Sequence, residues 1–109
     1  MAKPTEEQIA EFKAKHGEDL ALVTFNKKKE IFFVVRAPKP AEYDRFMDRV
    51  SDDPKKRPDA LDELGRTCAI FPEEKERLGY YLLKPGASTA LAAKVLELAG
   101  LTEEDSVNL

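Results

Sequence analysis

The chain has 109 residues, a formal net charge of −3 and a sequence pI near 5.3, with 42% hydrophobic and 36% charged residues. That size and balance suit one modest globular core and argue against global disorder and against a generally basic nucleic-acid or anionic-membrane binder. The single cysteine, Cys68, rules out an internal disulfide and fits a reducing compartment; neither a signal-peptide pattern nor a membrane-length apolar run is seen, so the expected location is the cytosol.

Thr5-Glu6-Glu7-Gln8 has the form of a capping box, with a hydroxyl followed three residues later by Gln. Ile9, Phe12 and His16 follow at helical spacing and Gly17 supplies a stop, which predicts a first helix from about Thr5 to His16. Leu20 to Phe25 and Ile31 to Val35 are rich in Val, Ile and Phe, and only Asn26-Lys27-Lys28-Lys29-Glu30 separates them. A short polar link between two β-prone runs predicts an antiparallel hairpin. Both runs are apolar at alternate and at intervening positions, so each predicted strand has two faces to bury.

Arg36-Ala37-Pro38-Lys39-Pro40 makes a stiff exit, after which Tyr43, Phe46, Met47 and Val50 recur at the spacing of an amphipathic helix. Ser51 to Pro58, with Lys55-Lys56-Arg57, is polar and contains two prolines, and is read as a loop. A third helix is expected over roughly Asp59 to Ile70, with Leu61, Leu64, Cys68 and Phe71 on one face. Gly65 inside it is unfavourable for helix propensity but permits close packing by a neighbour. Pro72 is expected to end that helix and to open a fourth, with Glu73, Glu74 and Glu76 in its first turn and Leu78, Tyr81 and Leu82 as its buried stripe. After Lys84-Pro85-Gly86, a fifth helix from about Ala87 to Ala99 stops at Gly100. Its apolar arc is wide (Ala87, Leu91, Ala92, Val95, Leu96, Leu98, Ala99), and Ser88, Thr89, Lys94 and Glu97 mark the polar side.

The expected architecture is α+β: an N-terminal helix and a β-hairpin followed by a bundle of about four helices, forming a single domain over 1–100, with 101–109 as an acidic, frayed tail. No strand–helix–strand alternation supports a parallel sheet.

Residues for chemistry are sparse. His16 is the lone histidine and Cys68 lies on an apolar stripe, so neither a nucleophile–base pair nor a zinc ligand set can be assembled. The five glycines are scattered rather than grouped in a phosphate loop. No catalytic residue, metal or cofactor is expected. The basic runs Lys27-Lys28-Lys29 and Lys55-Lys56-Arg57 could contact phosphates if they converged in space, but neither is interleaved with aromatics, and solvated loops are the simpler reading.

The order of features resembles the small tail assembly chaperones of long-tailed bacteriophages and prophages. The resemblance is carried by Thr5-Glu6-Glu7-Gln8-Ile9, by Arg36-Ala37-Pro38-Lys39-Pro40-Ala41-Glu42-Tyr43, by Ala60-Leu61-Asp62-Glu63-Leu64-Gly65-Arg66-Thr67-Cys68 running into Phe71-Pro72-Glu73, and by Lys84-Pro85-Gly86 ahead of a small apolar helix closing at Ala99-Gly100. It implies a non-enzymatic protein of the bacterial host cytoplasm. Such a protein coats and solubilises the tape measure protein, helps recruit tail tube subunits and is absent from the finished virion. A client of that kind needs exposed apolar surface. The sequence offers two places for it, the second hairpin face (Phe32, Val34) and the last helix (Leu91, Val95, Leu98), for each of which core packing is the plainer reading. Self-association, a connector or tail completion role, and a nucleic-acid-associated regulatory role through Lys27–Lys29 and Lys55–Arg57 stand as alternatives.

Overall fold

The computed structural model describes residues 3–25 and 31–100. In chain order the elements are α1 (Glu6–His16), β1 (Leu20–Phe25), β2 (Ile31–Arg36), α2 (Pro40–Asp52), a 3-10 turn (Pro54–Lys56), α3 (Arg57–Cys68), β3 (Ala69–Phe71), α4 (Glu74–Leu83) and α5 (Ala87–Leu98). The fold class is α+β, as the sequence predicts. The expected tail 101–109 and the run Lys27-Lys28-Lys29 lie outside the described residues.

The start of α1 is fixed by the predicted capping box: Gln8 N donates to Thr5 Oγ1 at 3.1 Å, and Thr5 N donates to Gln8 Oε1 at 2.9 Å. Gly17 stops the helix at φ 94°, a left-handed value that a side chain would resist. β1 and β2 pair antiparallel from Leu20↔Arg36 to Phe25↔Ile31, as expected of a hairpin.

β3 departs from the sequence expectation, which continued the third helix to Ile70. Ala69-Ile70-Phe71 instead leaves α3 and pairs antiparallel with β2, giving sheet order β1-β2-β3. Ile and Phe suit a pleated strand, and Pro72 biases the residue before it away from helix. The pairing also removes one open edge from β2. The predicted loop 51–58 is shorter than expected: Ser51 and Asp52 complete α2, Asp53 Oδ1 accepts from Lys55 N at 3.0 Å to start the 3-10 turn, and Arg57 opens α3. Pro72 does not open α4; Glu73 is its N-cap.

One face of the sheet carries the core. Ala21, Val23, Phe25, Ile31, Phe33, Val35 and Ala69 turn toward Leu64 and Cys68 of α3, Tyr81 of α4, and Leu91, Ala92 and Val95 of α5. Phe33, Val35, Cys68, Leu91 and Val95 are fully enclosed. On the other face α1 packs through Phe12, whose ring lies 6.3 Å from that of Phe71, the register partner of Val34.

α3 and α5 cross at very short range. A Cβ at Gly65 would stand 1.9 Å from the Ser88 carbonyl oxygen, so glycine is required there, as its place in the sequence suggested. Ser88 is consequently not on a polar face: it is 0% exposed, and its Oγ donates to Asp62 Oδ1 across the same crossing.

Candidate partner-binding surface

α4 places its side chains in two sharply different settings. Arg77 Nη1 donates to the Pro72 carbonyl at 2.6 Å, and Tyr81 is buried against Phe33, with ring centroids 5.9 Å apart. Tyr80 joins Phe25 and Phe33 in a three-ring cluster, at 5.7 Å and 5.5 Å respectively, with Phe25 and Phe33 edge-to-face at 5.5 Å. These contacts point one side of α4 at the core. The opposite side carries Leu78 at 46% exposure, Leu82 at 84% and Leu83 at 77%. The expected buried stripe Leu78–Tyr81–Leu82 is therefore corrected: only Tyr81 is buried. The helix turns its aromatic pair inward, and the angular offset leaves the leucines in water.

A groove of about 460 Å³ lies at the C-terminal end of α4, lined by Phe25, Tyr80, Lys84, Pro85, Gly86 and Ala87. Two aromatic rings and a proline form an apolar floor, and Lys84 puts a cation at its rim. Exposed leucines on one side of a helix form the kind of surface that binds an apolar protein segment.

The residues proposed from the sequence fall elsewhere. Leu91 and Val95 are 0% exposed and Val34 is 3%, so these three are buried; the close α3–α5 crossing and the sheet enclose Leu91 and Val95, and Val34 lies on the sheet face toward α1. Phe32 and Leu98 are half-buried. Lys55, Lys56 and Arg57 are exposed on the 3-10 turn and the first residue of α3, with Asp53 and Asp59 as acidic neighbours in the chain. The α4 leucines were visible in the sequence, but their helical spacing looks the same whichever way the helix faces.

A second, smaller cavity of about 110 Å³ lies between α2 and α3. Its charges are matched internally: Glu63 accepts from Arg49 and pairs with Arg45 at 3.2 Å. Beside it, Arg36 at the end of β2 is 8% exposed and grips Glu42 with two hydrogen bonds, at 2.7 and 2.9 Å; it also donates to the carbonyls of Ala37 at 3.1 Å and Thr67 at 3.4 Å. Glu42 in turn accepts from Lys39 N at 2.8 Å. The resemblance motif beginning at Arg36 thus forms a clamp joining β2, the start of α2 and the end of α3. The Arg36 guanidinium holds the Glu42 carboxyl below the usual carboxylate range, against the opposing effect of burial.

Burial pushes the Cys68 thiol up to about 11, where it is not a nucleophile at neutral pH. Burial, with Arg36, Lys15 and Lys39 nearby, lowers His16. Burial works to raise the Asp62 carboxyl, but hydrogen bonds from Ser88 and Arg66 outweigh it and lower the group on balance. Among the described residues no group of three or more His, Cys, Asp or Glu could hold a metal ion, and no helix is long and apolar enough to cross a membrane.

A family model described as "Domain of unknown function (DUF6848)" matches residues 12–108. The chain belongs to the DUF6848 family. The DUF6848 match takes in every strand and all of α2 to α5, including both sides of the α4 groove. A solved structure, "Structure of uncharacterised protein rbstp2171 from bacillus stearothermophilus", is similar with a TM-score of 0.68 and 22% sequence identity, over 93% of this chain and 98% of that one. At that identity the likeness speaks for the fold. No curated protein matches this chain.

Proposed function

We propose that this protein is a non-enzymatic binding protein that acts as a tail assembly chaperone in the bacterial host cytoplasm, binding the apolar tape measure protein and keeping it soluble. The observation that carries the reading is the open apolar surface on α4, with Leu82 and Leu83 more than three-quarters exposed. A monomeric protein with no partner for such a patch would expose it to nonspecific association. The high charge elsewhere, 36% of residues, keeps a complex with a sticky client soluble.

The test is co-expression with the long, coiled-coil-rich protein encoded by a neighbouring reading frame. The wild-type chain keeps that client in the soluble fraction and co-elutes with it. Leu82→Glu together with Leu83→Glu abolishes both effects while leaving the circular dichroism of the chain unchanged. A client that stays insoluble beside the wild-type chain, with no complex eluting, refutes the chaperone reading.

A further inference from the structure

The sheet order β1-β2-β3 makes β1 and β3 its two edges, and the two are treated differently. β3 is three residues long and pairs with β2 across an irregular register, both of which blunt an edge. β1 runs for six residues, Leu20 to Phe25, with no charge, proline or glycine and an unbroken register to β2. The phase of the hairpin shows which of its groups face outward. Ala37 N donates to the Asp19 carbonyl at 3.0 Å, so Asp19 and Ala37 are a hydrogen-bonded pair. Such pairs alternate along an antiparallel ladder, so Ala21, Val23 and Phe25 bond to β2, and the N–H and C=O of Leu20, Leu22 and Thr24 point away from it. Leu20 N donates to the Glu18 carbonyl at 3.0 Å, whereas the backbone groups of Leu22 and Thr24 have no hydrogen-bond partner among the described residues. Both helix layers stop short of this edge. On the α1 side Leu22 and Thr24 are exposed, and on the core side Ala21 and Val23 are only half-buried, while Phe33 and Val35 beside them on β2 are fully enclosed.

We propose that two copies of this chain join edge to edge through β1 in a two-fold antiparallel pair, making one continuous sheet of six strands, three from each copy. With the axis beside Val23, Leu22 faces Thr24 of the second copy, and Thr24 faces its Leu22. Each pair exchanges N–H···O=C bonds in both directions, so every open group on Leu22 and Thr24 is satisfied and the Leu20–Glu18 bond is undisturbed. The exposed Leu22 side chain is laid against Thr24 of the second copy and diagonal to its Leu22. Charge selects a second copy over an unrelated strand. Asp19 precedes β1, and Lys84 lines the groove with Phe25 at the other end of the strand. Alternation puts Asp19 on the Phe25 side of the sheet, and the pairing sets Ala21 against Phe25 of the second copy, which brings Asp19 to the same end of the interface as that copy's Lys84. Neither residue has an ion-pair partner among the described residues. The contact leaves the α4 leucines free, so it is independent of any client.

Sedimentation equilibrium of the purified full chain from low micromolar to near-millimolar concentration, with amide hydrogen exchange at both ends of that range, tests it. The expected species at high concentration has twice the 12.3 kDa mass of the chain. There the Leu22 and Thr24 amides exchange about tenfold or more slowly than in the dilute monomer, whereas the Ala21 and Val23 amides, bonded to β2, are protected at both concentrations. Thr24→Pro removes an outward donor without touching the ladder to β2 and gives a monomer, while Thr24→Val dimerises like wild type. Asp19→Lys and Lys84→Asp each weaken the dimer about tenfold, since each acts at two symmetric places, and combining them restores association. A wild-type chain that is monomeric at every concentration overturns the proposal. So does a dimer in which the Leu22 and Thr24 amides stay unprotected, or a charge exchange that fails to restore association. Slow exchange of those two amides in the dilute monomer also overturns it, because the edge is then covered within the chain. Leu82→Glu with Leu83→Glu leaves this dimer intact, so loss of the client and loss of the dimer are read separately.

Discussion

Replacing Gly65 and Gly79 separately with alanine applies one chemical change to two helices and should give opposite signs. At Gly65 the new Cβ would stand 1.9 Å from the Ser88 carbonyl oxygen, 2.9 Å from its carbon and 3.1 Å from Ala92 N. Ordinary C···O contact begins at about 3.3 Å, so α5 must retreat by about 1.4 Å. All three obstructing atoms are backbone, so no rotamer change relieves the clash. Retreat would also loosen Leu91, Ala92 and Val95, each 0% exposed. Overpacking of this kind costs about 1–3 kcal/mol or more, and the gain in helix propensity returns at most about 1 kcal/mol. The expected net loss is about 2 kcal/mol, or about 8 °C in Tm for a domain of this size. Gly79 has open space, so alanine there should add about 0.5–1 kcal/mol. Both variants are compared with wild type by thermal and urea denaturation, followed by circular dichroism at a concentration too low for self-association. A Gly65→Ala variant as stable as wild type would refute the close α3–α5 crossing.

Two further outcomes test the polar interior. Because the folded Glu42 carboxyl titrates below its unfolded value of about 4.3, its contribution is complete above that pH and is lost as the pH falls through the lowered folded value. Glu42→Gln should therefore reduce stability at neutral pH by about 1–3 kcal/mol and flatten the acid side of a stability-versus-pH curve measured by urea titration; an acid limb as steep as wild type would remove Glu42 from that role. The Tyr81 hydroxyl is buried without a hydrogen-bond partner among the described residues, so Tyr81→Phe should leave the urea midpoint unchanged or raise it by up to about 1 kcal/mol in stability. A loss of more than about 1 kcal/mol would show that the hydroxyl has a partner, such as a bound water.

Much of this fold is legible locally, because its signals are local. The capping box at Thr5–Gln8, the stop at Gly17, the hairpin and the start of α2 at Pro40 each depend on chemistry within a few residues. Gly65 was legible for a different reason: a helix accepts glycine's poor propensity only where something else needs its missing side chain. β3 was not legible. Three residues are too few to show a period, and Ala69-Ile70-Phe71 becomes a strand because β2 offers an edge and Pro72 disfavours further helix. Ser88 failed likewise, since only the α3–α5 crossing brings Asp62 within reach of its hydroxyl.

Of the five residues offered as a partner surface, Val34, Leu91 and Val95 are buried, for a reason that separates apolar content from apolar surface. α5 has the widest apolar arc in the sequence, and that width reflects helices and sheet enclosing it from several sides: Ala87, Leu91, Ala92 and Val95 are all buried. α4 looked like an ordinary amphipathic helix, yet it has two apolar sides at once. Tyr80 and Tyr81 face the ring cluster, and Leu78, Leu82 and Leu83 face away from it. A helix that already satisfies the core with two aromatic side chains gains nothing for its own fold from three more exposed leucines. The proposed partner surface therefore lies on α4, whose leucines are exposed, rather than on the larger but buried apolar arc of α5.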